Sequence, residues 1–309
     1  MTIVCEPAAA LPAIARPVFL VGTIRSGTTL LAELLGHSPD VAHCRFELKD
    51  LWSQIGGVPM ASPKTRDHVC PELSAKDCQG VATLNLRAAL AERVAACSSK
   101  AAGAVLLNKN PHLCNKLGLV KAMFPDARFV WIHRGLPQVA GSVKRLFADI
   151  RNRQATLHWW PMPGRGTRNR CWNAAFCEQE LVAAPADRIF PGGHVRFIAE
   201  YWLESNRAVA EYFATMSMAE HIDVAEEALL ADPERELGRI ARHLGVASGA
   251  WSDTVRLLDQ GRNATYREIL TADELDVLHA FIAEHDSEIE RIFTGRRHAF
   301  GFDVDVGEA

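Results

Sequence analysis

Apolar positions along this chain follow two periods. Pro17 to Val21, Ala104 to Leu107 and Arg128 to Ile132 are short runs of mainly apolar, β-prone residues and predict strands covered on both faces. Elsewhere the spacing is helical. Leucines 30, 31, 34 and 35 form one buried face just after Gly22 ends the first strand, and Leu113 to Met123 predicts a helix that stops at Phe124-Pro125. The second half is mostly helical: Ile198, Trp202, Val209 and Phe213 share a face. Asp232-Pro233-Glu234 opens a helix that Gly245 ends, and Thr271 with Glu274 makes a capping box for a last one. Strands alternating with helices predict an α/β fold, a central parallel sheet flanked by helices with a helical C-terminal half. No linker or repeat divides the chain, so residues 16–300 are expected to form one domain between tails at 1–15 and 301–309.

Composition narrows the function by exclusion. With 309 residues, 48% of them hydrophobic and 23% charged, the chain is an ordinary globular one. A net charge of −3 gives no global pull toward nucleic acid or anionic membrane, so any anion site must be built locally. The apolar runs are far shorter than the roughly 20 residues of a membrane span. No positive charge precedes the weak apolar run at the N-terminus, which predicts a cytoplasmic protein rather than a secreted one. Eight scattered cysteines with no CxxC pair predict reduced, mostly buried thiols and no metal site.

The first motif that carries chemistry is Gly22-Thr-Ile-Arg-Ser-Gly-Thr-Thr29, set between a strand and a helix. Its GxxxxG frame is that of a P-loop, in which backbone N–H groups and a helix N-terminus converge on a phosphate. ATP and GTP binders place a lysine next; here Thr28 stands there and the cation lies inside the loop, at Arg25. The hydroxyls of Ser26, Thr28 and Thr29 with one guanidinium can hold a phosphate without a dedicated magnesium arrangement.

Residues 17–41 resemble the 5′-phosphosulfate loop of sulfotransferases that use 3′-phosphoadenosine 5′-phosphosulfate (PAPS), with Gly22, Arg25, Ser26, Gly27, Thr28 and Thr29 at the matching places and Ile24 where that family usually has proline. Residues 106–146 resemble the family's 3′-phosphate segment, a strand ending in arginine with a serine eight residues later, here Arg134 and Ser142. The resemblance is nearest to the tyrosylprotein sulfotransferase-like branch. It implies a P-loop-like fold and sulfuryl transfer to an acceptor hydroxyl or amine, with adenosine 3′,5′-bisphosphate as product. Two phosphate sites about 110 residues apart suit a nucleotide phosphorylated at both ends better than ATP.

The same resemblance implies roles. Arg25 is expected at the sulfonate and the 5′-phosphate, and Lys109 in Asn108-Lys-Asn-Pro111 is a second cation for the transition state. Two residues compete as the base that takes the acceptor's proton. Glu47 is favoured, with Phe46, Leu48 and Trp52 as apolar walls; His112 is the rival, and Pro111 redirects it. Glu226 stands where the family often has tyrosine near the adenosine, while Arg262 and Arg267 resemble ligands on its C-terminal phosphate loop. The segment 151–177 holds five arginines, three tryptophans and no acid before Glu178; it reads as a lid over an aromatic, glycosidic or anionic acceptor, or as a surface loop packed on the core. The alternatives to a sulfotransferase are a P-loop kinase-like enzyme and a non-catalytic nucleotide binder. The sequence leaves the acceptor and the oligomeric state open.

Overall fold

The structure is a computed structural model, and it describes residues 16–44, 46–58, 60, 72–98, 100, 103–153, 194–249, 251, 255, 258 and 263–293. Arg262, the tails and residues 154–177 of the expected lid lie outside the described residues. The first half runs β1 (Val18–Val21), α1 (Thr28–Leu35), β2 (Val41–His43), α2 (Lys49–Gln54), α3 (Gly80–Cys97), β3 (Val105–Lys109), α4 (Leu117–Met123), β4 (Arg128–His133) and α5 (Leu136–Arg153). The second half follows with α6 (Val195–Phe213), β5 (His221–Ala225), α7 (Glu226–Ala231), α8 (Pro233–Leu244), α9 (Tyr266–Ile269), α10 (Ala272–Glu284) and α11 (Asp286–Ile292).

The five strands form one parallel sheet in the order β2-β3-β1-β4-β5, with β1 in the middle. Alternate residues of β1 feed opposite layers. Phe19 and Val21 join a core with α3, α4, α5 and α6, whereas Val18 and Leu20 pack with the leucines of α1 and with Leu237 and Ile240 of α8. Burial on both faces explains why β1 is apolar at every position rather than at every second one. The edge strands β2 and β5 were not apparent in the pattern, since β2 has three residues and β5 mixes His221 and Asp223 with its apolar positions.

The expected caps are present. Asp232 accepts from the Arg235 amide at 3.2 Å, Gly245 closes α8 in the left-handed conformation, and Thr271 and Glu274 bond reciprocally. The helix expected over Leu113 to Met123 is divided. Asn110 accepts from the His112 amide at 3.0 Å and Pro111 starts a single 3-10 turn to Leu113, so the α-helix begins only at Leu117.

Parallel strands deliver their C-terminal ends to one edge, where α/β sheets bind ligands. Gly22 follows β1, Lys109 ends β3, Arg134 follows β4 and Glu226 follows β5. Gly22 is required there: its φ is +152°, and a Cβ would stand 2.1 Å from the carbonyl oxygen of Ile132 on β4. Gly22→Ala is therefore expected to cost about 2–4 kcal/mol, read as a lowered midpoint in chemical denaturation.

Candidate active site

The turn after β1 is fixed from several sides. Ser26 is buried and bonds through its amide and its hydroxyl to the carbonyl of Thr23, and Gly27 leads into α1 by accepting from the Leu31 amide at 2.9 Å. Ile24, in place of the family's proline, carries an N–H that donates to the hydroxyl of Tyr201 on α6 at 3.1 Å. That bond anchors the turn where a proline ring would have stiffened it. Arg25 is exposed, with φ +66°, a backbone conformation that L residues adopt at some cost.

Arg25 and the segment after β4 form one cluster. Arg25 Nε donates to Ser142 Oγ on α5 at 3.0 Å, and Arg134 Nη1 donates to the Arg25 carbonyl at 3.0 Å. Arg134 is 3% exposed. Its Nε lies 3.0 Å from Asn263 Oδ1 and 3.1 Å from Glu226 Oε2, and its own carbonyl accepts from Trp202 Nε1 at 2.8 Å. Arg25 is expected at the sulfonate and the 5′-phosphate; in the structure its guanidinium meets the serine expected at the other phosphate. Gly141 brings in the C-terminal segment, because a Cβ there would lie 2.8 Å from Cβ of Tyr266, so α9 packs directly on α5. From that segment it is Asn263 that reaches Arg134, while Arg267 is exposed with its guanidinium 5.5 Å from the Tyr266 ring centre. A cavity of about 280 Å³ opens over this cluster, bounded by Arg25, Thr28, Thr29, Glu33, Arg134 and Glu226.

The second cluster is built from β3. Lys109 Nζ pairs with the carboxylate of Glu47; the lysine is buried and the glutamate about a quarter exposed. The residues beside Lys109 hold Glu47 in place: Asn110 and Asn108 donate to its carbonyl at 3.2 and 3.4 Å, and Trp52 Nε1 donates to Asn108 at 3.0 Å. Of the expected walls, Leu48 and Trp52 are buried, but Phe46 is 69% exposed and cannot shield the carboxylate. Burial pushes the Glu47 carboxyl up, yet the Lys109 ammonium and its hydrogen bond, helped by Lys49, bring it below its ordinary value. Lys49 is itself lowered, mainly by burial.

His112 stands elsewhere. It is buried and lines a separate cavity of about 440 Å³ with Tyr201, Asn115 and Glu204, a wall that follows from the Pro111 turn. Beneath it Lys116 is fully buried and donates to the His112 carbonyl at 3.1 Å; burial lowers its ammonium to about 7. Cys114, against the Gly22 amide, is pushed up to about 12 by burial. The sequence reading missed Lys116, Tyr201, Asn263 and the Glu226 contact. Of these only Glu226 carried a signal, as a departure from the resembled pattern.

Among known proteins, the model of the sulfotransferase family matches residues 17–168. A sulfotransferase from Alicyclobacillus acidocaldarius has a similar fold at 15% identity and a TM-score of 0.51, over 89% of this chain and 95% of that one. A sulfotransferase domain of the curacin biosynthetic pathway is 14% identical at a TM-score of 0.49, over 88% and 98%. The sulfotransferase STF1 of Mycobacterium tuberculosis H37Rv is 16% identical at 0.47, over 88% and 78%. No curated protein matches the chain.

The opposed effects on Glu47 give a test. A depressed carboxyl stabilises the fold above the unfolded-state value and loses that contribution as pH falls through the folded one. In Lys109→Met the main opposition to burial is gone and only Lys49 and a backbone hydrogen bond still counter it, so the Glu47 carboxyl should titrate higher than in wild type, as read by carbon NMR of the side chain. The stability gap between wild type and Lys109→Met should widen from about pH 3 to about pH 7 in denaturation curves.

Proposed function

We propose that this chain, whose residues 17–168 are of the sulfotransferase family and whose sheet is that of a bacterial sulfotransferase, transfers the sulfuryl group of PAPS to an acceptor hydroxyl or amine. The observation that carries the reading is the cluster of Arg25, Ser142 and Arg134, which unites the glycine turn with the end of β4 at one sheet edge. An anion at the turn meets the N-terminus of α1 and the hydroxyls of Thr28 and Thr29; a second, at the far end of the same nucleotide, meets Arg134 and Ser142. The donor supplies an activated sulfur with a phosphate leaving group. An oxygen–sulfur bond forms to the acceptor as the bridging sulfur–oxygen bond breaks, and adenosine 3′,5′-bisphosphate departs.

Glu47 takes the acceptor's proton in this reading, and Lys109 stabilises charge on the sulfuryl oxygens. Pairing with Lys109 keeps Glu47 ionised at neutral pH, the form that can accept a proton. When the proton arrives the ion pair lapses, and the ammonium is released toward the charge that develops on the sulfuryl oxygens. His112, on the wall of a different cavity, is the lesser candidate. The lid role of residues 151–177, with an aromatic, glycosidic or anionic acceptor beneath it, stays part of the proposal, as do phosphate contacts from Arg262 and Arg267 and a cytoplasmic location.

Calorimetry should show binding of adenosine 3′,5′-bisphosphate and weaker or no binding of ATP with magnesium; the reverse order would favour a kinase-like protein. With labelled PAPS and an acceptor panel, Glu47→Gln should lower kcat by about 10²–10⁴ and His112→Ala by less than about tenfold. Binding without turnover on any acceptor would leave a nucleotide-binding protein, and a larger loss in the histidine variant would move the base to His112.

A further inference from the structure

The cavity over the glycine turn is electrically unusual for a site that takes a nucleotide phosphorylated at both ends. Among the described residues its ionisable lining is two arginines, Arg25 and Arg134, against two glutamates, Glu33 and Glu226. Glu226 is 2% exposed and lies inside the site: its Oε2 is 3.1 Å from Arg134 Nε, and its Cγ would touch a Cβ on Gly27 at 3.0 Å. The position is set by the fold. Strand β5 pairs with β4 from Phe129↔His221 to His133↔Ala225, so the residue after β5 must emerge beside the residue after β4, which is Arg134.

A guanidinium already paired with a buried carboxylate offers an incoming phosphate far less than an isolated one does. The anion must share Arg134 with Glu226 and come close to a second negative charge, in a place that water screens poorly. The 5′ end would rely on backbone N–H groups and hydroxyls of the turn; Glu226 borders that turn at Gly27, but its ion pair is made with Arg134.

We infer that Glu226 is a specificity-determining residue that makes the site weakly selective for the 3′-phosphate, so that adenosine 5′-phosphate binds nearly as well as adenosine 3′,5′-bisphosphate. The inference rests on the nucleotide reading given above. Glu226→Gln keeps the side-chain shape and an oxygen for Arg134 Nε while removing the charge, and it should free Arg134 for the phosphate.

Titration calorimetry of both nucleotides at one ionic strength, on wild type and Glu226→Gln, tests this. In wild type the two dissociation constants should lie within about tenfold of each other. In the variant their ratio should widen by about tenfold or more, through tighter bisphosphate binding, with the adenosine 5′-phosphate affinity nearly constant. A wild-type preference for the bisphosphate beyond about tenfold overturns the inference, and so does an unchanged ratio in a folded variant. If the variant does not fold, the wild-type ratio decides alone. Binding of neither nucleotide to wild type brings down the donor reading itself, which separates that failure from failure of the inference.

Discussion

Arg134 is the contact on which the site's assembly depends. A buried guanidinium is tolerated only when its charge and its donors are matched, and removing one partner of such a pair typically costs 3–5 kcal/mol. The partners here come from four parts of the chain. The glycine turn gives the Arg25 carbonyl, the segment before α9 gives Asn263, the end of β5 gives Glu226, and α6 reaches the Arg134 backbone through Trp202. Satisfying one side chain therefore brings the loop after β1 into register with a segment about 240 residues later. The glycines serve the same purpose. Gly22 lets the turn press against β4, and Gly141 lets α9 lie on α5, which carries Asn263 within reach.

How much of this could be read beforehand follows from the range of each signal. The glycine turn was legible because its chemistry is contiguous: eight residues contain the turn, the donors and the start of α1. The central strands and the caps at Asp232, Gly245 and Thr271 were legible for the same reason, since period and capping are local properties. The edge strands were too short or too polar to stand out. Tyr201 and Asn263 could not be found from sequence, because each matters through hydrogen bonding to a residue more than about 100 positions away. Lys116 is a different failure. A lysine between Asn115 and Leu117 looks solvated, and only the packing of the 3-10 turn against the core shows that it is fully enclosed.

The Asn108-Lys-Asn-Pro111 stretch shows why spacing alone misdirects a reading of chemistry. In an extended strand, neighbouring side chains alternate. Asn108 and Asn110 thus fall on the side of the Glu47 backbone and hold its carbonyl, and the lysine between them meets the carboxylate. Pro111 then ends the strand geometry, and His112 is turned into another cavity. Two residues separate the lysine from the histidine in sequence, yet they serve different walls.

Three of the candidate cations, Arg25, Arg134 and Lys109, have one property in common: each is already bonded to a protein acceptor. Arg25 holds Ser142, Arg134 holds Asn263 and Glu226, and Lys109 holds Glu47. Anion binding at this edge, as proposed, would consequently be an exchange of partners more than a capture by open charge. Exchange at Ser142 is cheap, because a neutral hydroxyl gives way to a phosphate oxygen and can turn to donate to it. Exchange at Glu226 or Glu47 sets one anion against another and succeeds only where the incoming charge is larger or the resident one is neutralised by a proton. In the proposed reaction the acceptor's own proton would do this at Glu47, so the carboxylate that pairs with Lys109 in the resting site would release it as charge builds on the sulfuryl oxygens. In the same reading the acceptor supplies no proton to Glu226, which would stay with Arg134 unless a more highly charged phosphate displaced it. The proposed chemistry would thus undo the pairing at one end of the edge by proton transfer and act on the pairing at the other only through the nucleotide's own charge.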